Sequence, residues 1–239
     1  MAFGLALPAH ALDLDNLSEA DRASLHDEIR AYLMQNPEVI MEAVAVLEER
    51  QNAGEAQADA DLVRANADAI FDDGHSWVGG NPDGDVTLVE FMDYRCGYCR
   101  RAADEVESLL EADGDIRFIV KEFPILGEES LRASRFAIAT QQTAGDDAYK
   151  AVHDALMTFN GTMNEAGFLR LADSLGLDAN AIIAEMDSDT VSDVIAANHA
   201  LGRQLQINGT PSFVMGEQML RGFVPQDGMQ QVVNDIRAN

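Results

Sequence analysis

Cysteine occurs only twice in the 239 residues, tryptophan once, and lysine and arginine together only 16 times against 42 acidic residues. Each scarcity excludes something. Two cysteines cannot build the multi-bridge framework of a small disulfide-stapled protein. A net charge of −26 disfavours binding to nucleic acid or to anionic membrane surfaces through charge alone. No apolar run approaches the ~20 residues that a membrane-spanning helix needs. Histidines are few and scattered, at positions 10, 26, 75, 153 and 199, and none forms a pair at metal-ligand spacing. With no second C-x-x-C, a four-ligand zinc site has no donors. No cofactor is called for.

What the chain does have is the stretch RCGYCRR, residues 95–101, which holds both cysteines and three of the few arginines. Cys96 and Cys99 can be read as a redox pair or as two thiolate ligands for copper(I). The ten methionines do not cluster around them and read as core filler. The redox reading has a local physical basis. Val86–Met92 is a β-prone apolar run, and residues 97–112 carry a helical pattern with Ala102, Val106, Leu109 and Leu110 on one side. Cys96 therefore falls at a helix start, where unpaired N–H groups favour a thiolate, and Cys99 falls one turn inside. Cys96 is expected to be the exposed nucleophile, and Cys99 the thiol that resolves the mixed disulfide.

Glu90 lies six residues before Cys96 within the apolar strand and is expected to point inward beneath the thiols. A buried carboxyl there can accept the proton of the resolving thiol. Lys121, in the next apolar run (residues 116–123), is expected to pair with Glu90. Gly209-Thr210-Pro211 precedes another β-prone run, and a proline at such a turn can be cis.

The organisation follows from pattern. Residues 1–11 are expected to be a signal-peptide remnant, with a small-x-small site at Ala9-His10-Ala11 and no basic n-region before Arg22. Residues 12–74 read as helices: Ser18 with Asp21 suggests a capping box, Asn36-Pro37 is expected to cap and open a second helix, and Gly54 to interrupt it. Their apolar residues occupy more than one face, so they must pack either on the rest of the chain or, as slightly preferred, on other copies of it. The cluster Gly79-Gly80-Asn81-Pro82-Asp83-Gly84 reads as a turn at the domain boundary. From residue 75 onward the order is β-α-β, a helical block at about 128–207, then β-β-α, an α/β fold.

Glu90 to Cys99, Lys121, Thr210-Pro211 and the helical block together resemble the DsbA-like branch of the thioredoxin superfamily, over about residue 77 to the C-terminus. The N-terminal helices, Gly80-Asn81-Pro82 and the CGYC site are similar to the suppressor-of-copper-sensitivity C (ScsC) and Com1-like subgroup. The resemblance implies a thioredoxin fold with a helical insertion, preceded by a helical segment. It implies a redox-active Cys96–Cys99 disulfide, a cis Pro211 beside it, and substrate contacts from Thr210, Pro211, Gly97 and Tyr98. It further implies periplasmic thiol–disulfide exchange on exported polypeptides, as an oxidase or an isomerase, a membrane partner that resets the cysteines, and a homo-oligomer, trimer or dimer, through the N-terminal helices. The subgroup's name keeps open a copper-binding or copper-tolerance role for the same thiols. Tyr98 stands where DsbA has a histidine, which implies a less stabilised thiolate and a less oxidising site than in DsbA.

Overall fold

The computed structural model describes residues 17–238, so the expected signal-peptide remnant lies outside the described residues. The chain divides into two compact units at Gly54–Glu55. In the first, Ser18 caps α1 (Glu19–Gln35): its hydroxyl accepts from the Asp21 N–H and donates to Asp21 Oδ2. The second helix, α2 (Glu38–Ala65), begins in this unit and continues through Gly54. Asn36 does not cap α2 as expected; its side-chain amide donates back to the Tyr32 carbonyl at 2.9 Å and closes α1 instead. Gly54 does not interrupt α2 either, because one glycine costs a long helix only about 1 kcal/mol relative to alanine. Nothing in α1 is buried, and Ile29, Tyr32, Met34, Ile40, Met41, Val44, Val46 and Leu47 are all exposed.

The second unit is built on a five-stranded sheet of order β1-β3-β2-β4-β5. Its strands are β1 (Trp77–Gly80), β2 (Val86–Met92), β3 (Ile116–Glu122), β4 (Ser212–Met215) and β5 (Gln218–Arg221). β2 and β3 are parallel, joined by α4 (Gly97–Asp113), and the other pairings are antiparallel. Gly79 and Gly80, expected in a turn, instead form the end of edge strand β1 against Phe118 and Arg117. Helices α5 (Glu128–Ala144), α6 (Asp146–Thr158), α7 (Glu165–Ser174), α8 (Ala179–Glu185) and α9 (Asp189–Gln204) fill the expected insertion, and α10 (Gln226–Ala238) closes the chain.

Strand alternation splits the core. Leu88, Met92, Phe118, Val120, Phe213 and Met215 face the larger cluster, which includes both cysteines. Val89, Phe91, Ile119 and Val214 face the smaller one, where Val63 of α2 and Ile70 of α3 (Ala67–Phe71) pack. Residues 55–71 thus belong to the sheet-bearing unit rather than to the N-terminal segment. At the end of α4, Gly114 adopts φ 74° and its N–H returns to the Leu110 carbonyl, a left-handed stop that glycine takes without steric cost.

Candidate active site

Because β2 ends at Met92 and α4 starts at Gly97, the four residues between them carry the first thiol to the helix N-terminus. Cys96 is the N-cap, and its sulfur accepts the Cys99 N–H at 3.4 Å. The cysteines are unbridged; Cys96 keeps 7% of its surface and Cys99 none. Cys96 is thus the more accessible thiol, though far less exposed than the sequence suggests. The Thr210–Pro211 bond is cis, and the Thr210 carbonyl accepts from Cys96 Sγ at 3.1 Å, which places the start of β4 over the first thiol. Gly97 has open space where a side chain would project, and Tyr98 is well exposed beside it.

Asp93, which sequence reasoning did not single out, organises the approach to the site. Fully buried, it accepts from the backbone N–H groups of Arg95, Ile125 and Leu126 at 2.8, 2.8 and 3.0 Å. One carboxylate thereby ties the cysteine loop to the segment after β3, where Ile125 and Leu126 are exposed. The three arginines are all engaged: Arg95 with Glu129, Arg100 with the Tyr94 carbonyl, and Arg101 over the rings of Tyr98 and Phe223.

Glu90 is buried on the face of the sheet that packs against the cluster holding both cysteines. Burial, reinforced by the charge of Glu122, pushes its carboxyl up to about 8. Cys99 is pushed far above the ordinary thiol range by burial and then by the Glu90 charge, which shows how closely the two groups interact. Charge is conserved in the pocket if Cys99 hands its proton to Glu90, so thiolate and carboxylate never coexist there.

Lys121 is not the partner of Glu90. The parallel register sets Glu90 against Val120 and Phe91 against Lys121, so Lys121 projects from the opposite face of the sheet. There it is fully buried and pairs with Asp73 at 2.5 Å, also donating to the Ala69 carbonyl. Burial opposes the charge on Asp73, but hydrogen bonds involving His75, Lys121 and Ser76 outweigh it and hold the carboxyl well below its usual range. Replacing Lys121 removes the one lysine from a part-buried carboxylate that keeps only His75 and Ser76 as partners. Lys121→Met is expected to lower stability by about 3 kcal/mol in urea unfolding, and a loss below about 1 kcal/mol would show that the pair is not needed to keep Asp73 buried.

The sequence also missed a cluster around Glu122. Its Oε1 accepts from Tyr94 and Tyr149 hydroxyls, each at 2.7 Å, and the Tyr94 hydroxyl also meets His153 Nδ1 at 3.0 Å. Burial pushes Glu122 up to about 7 despite those hydrogen bonds and depresses His153 to about 4. The available signal was parity: Glu122 shares the sheet face of Val120, and hence of Glu90.

A thiol capping a helix, a fully buried thiol one turn inside it, an inward carboxyl and the Thr210 carbonyl against the first sulfur define a dithiol redox protein on a thioredoxin scaffold. Comparison with known proteins agrees. The model of the DSBA-like thioredoxin domain matches residues 87–234, and the chain belongs to that family. A second model, the copper resistance protein ScsC N-terminal domain, matches residues 21–53. A thioredoxin-like oxidoreductase from Silicibacter pomeroyi DSS-3 is 45% identical with a TM-score of 0.68, the match covering 72% of this chain and 98% of that one. Proteus mirabilis ScsC in a transitional conformation is 28% identical with a TM-score of 0.66, covering 92% of this chain and 97% of that one. Among curated relatives, the Na(+)/H(+) antiporter NhaA of Herminiimonas arsenicoxydans is 27% identical over 173 residues, 72% of this chain and 27% of that protein. The chain thus spans about a quarter of the length of the antiporters it matches, and no helix among the described residues is long and apolar enough to cross a membrane.

Proposed function

We propose that this protein exchanges disulfides with exported polypeptides in the periplasm, and that it works as an oligomeric isomerase. The observation that carries the exchange chemistry is the placement of Cys96 at the helix start above Cys99 and Glu90. Cys96 attacks a substrate disulfide. A second thiolate of the same substrate attacks the mixed disulfide, forming a new substrate disulfide and freeing Cys96; where that attack stalls, Cys99 gives its proton to Glu90 and attacks Cys96, releasing the substrate as a thiolate and leaving a Cys96–Cys99 disulfide. The Thr210–Pro211 edge, with Gly97 and Tyr98 beside it, is the surface along which a polypeptide would lie. A membrane-bound reductant that keeps both cysteines as thiols completes the cycle.

The exposed apolar residues of α1 and α2 support the assembly. A run of large apolar side chains on thin helices is stable in water when covered, and the ScsC-type match falls on the same residues. Several active sites on one assembly would hold a misfolded chain while its bonds reshuffle. The test combines two measurements on the full chain. Sedimentation should give a mass above that of one 25.9 kDa chain, and the pre-reduced protein should reactivate scrambled ribonuclease without added oxidant. A monomer that reactivates nothing, but oxidises reduced ribonuclease, would make it an oxidase. A second reading, in which Cys96 and Cys99 take up copper(I), is favoured by the copper-resistance description of the N-terminal match; two thiolates suffice for that ion.

A further inference from the structure

The exchange reaction leaves a proton on Glu90, deep in the protein, and that proton must leave before the next cycle. We propose that Glu122 is the second carboxyl of a proton-sharing dyad with Glu90, and that it relays the proton taken from Cys99 toward solvent. The proposal rests on the role assigned to Glu90 above and extends it to a residue outside the cysteine motif.

The geometry is specific. β2 and β3 run parallel with Met92 opposite Glu122, so Glu90 and Glu122 stand two positions apart on one face of the sheet. Both are almost fully buried, and both keep an oxygen, Glu90 Oε1 and Glu122 Oε2, with no protein hydrogen bond. Two buried carboxyls on one face of the sheet disfavour each other's charge, so the pair keeps a proton to higher pH than either carboxyl would alone.

Of the groups around Glu122, the dyad and His75, whose imidazole is raised above its ordinary value by its bond to Asp73, exchange protons near neutrality, and the others do not. From the loop after β2, Tyr94 donates to Glu122 and the charge of Asp93 disfavours a second negative charge. From α6, Tyr149 donates as well, and both tyrosines are held neutral, chiefly by burial. His153, also on α6, is neutral too, since burial depresses it to about 4. From α9 the Asn198 amide donates to the Glu122 backbone carbonyl.

Glu122 also has an outlet. It borders a small cleft whose solvent-sized space is about 10 Å³, about enough for one water. Asn198, Gln141 and His75 line the same cleft, and the His75 side chain is 27% exposed. The steps balance. The Cys99 S–H bond breaks and its proton goes to the Glu90 carboxylate. The Cys99–Cys96 bond forms as the Cys96–substrate bond breaks, so the site is oxidised and the substrate sulfur reduced. Glu122, which holds the pair's first proton, then releases it to the cleft and takes up the proton from Glu90.

A purely structural Glu122 would serve only to anchor Tyr94 and Tyr149, and glutamine keeps an acceptor for both hydroxyls. The experiment is therefore Glu122→Gln, read as the pH profile of mixed-disulfide resolution. The midpoint assigned to Glu90 should fall by about one pH unit, because a like charge has gone, and Glu122→Asp should restore it. An unmoved midpoint in a folded Glu122→Gln protein overturns the dyad. If Glu122→Gln does not fold, the coupling is read from the other side: in Glu90→Gln, the remaining buried carboxyl, followed by infrared absorption, must titrate about one unit lower than in the parent. No change there overturns the dyad equally. Loss of the underlying reading has a separate signature, since Glu90→Gln would then leave resolution of the mixed disulfide at its parent rate.

Discussion

Cys99→Ala is expected to accumulate mixed disulfides with disulfide-bonded, misoxidised polypeptides, and Cys96→Ala to form none and lose exchange activity down to background. The asymmetry follows from burial. Cys99 has no exposed surface and lies one helical turn below Cys96, so a polypeptide cannot reach it while Cys96 stands above. Its reach is confined to Cys96, whose sulfur already accepts the Cys99 N–H. Removing it leaves the first covalent step intact and deletes the second, and the intermediate should survive non-reducing electrophoresis after alkylation. Adducts in Cys96→Ala, or none in Cys99→Ala, would reverse or cancel the assignment of the two thiols.

Glu90→Gln is expected to slow resolution of the mixed disulfide by about 100-fold, in the range of a lost general base, while making the protein more stable in mild alkali. The carboxyl sits at about 8 in the folded protein against an ordinary 4.5. Between those values the folded chain holds a proton that the unfolded chain has lost, so this group's contribution is complete below 4.5 and is lost as pH rises toward 8. Glu122, at about 7, acts in the same direction over a narrower window. His153 acts oppositely, since at about 4 it stays neutral where the unfolded chain takes up a proton, and its cost disappears by pH 6.5. Above that point the two carboxyls act together, and comparing the parent with Glu90→Gln cancels what His75 and Lys121 contribute. The reduced parent should lose about 2 kcal/mol from Glu90 between pH ~6.5 and ~8, and Glu90→Gln should lose much less. Parallel urea-unfolding slopes in the two proteins would remove Glu90 from the groups that titrate there.

Much of this site is legible in the sequence because its parts sit beside strong local patterns. β2 and α4 follow from an apolar run and an amphipathic one, and they bracket the cysteines, so the helix-start thiol and the inward Glu90 need no tertiary information. The pairing of Glu90 with Lys121 did need it. Which of two adjacent strand residues faces a given side depends on register, and a shift of one residue exchanges Lys121 for Val120 or Glu122. The same gap hid Glu122 itself. Asp93 escaped notice because two of its three partners are backbone N–H groups 32 and 33 residues away, which no side-chain pattern announces. β1 was missed for the opposite reason: its two glycines resemble a turn locally, and only the neighbouring β3 makes them a strand.

The lone indole offers an optical consequence. Trp77 stacks on Tyr149 at 5.6 Å between ring centres and donates from Nε1 to the Asp146 carbonyl, and Tyr149 in turn donates to Glu122. All tryptophan emission from this chain therefore originates one residue away from the buried carboxyl cluster, and none from residues 1–54. Fluorescence reports on the sheet-bearing unit alone, whereas far-ultraviolet circular dichroism also counts α1 and α2. Melting curves recorded by the two methods on one sample separate the loss of the N-terminal helices from the collapse of the redox centre, with no label attached.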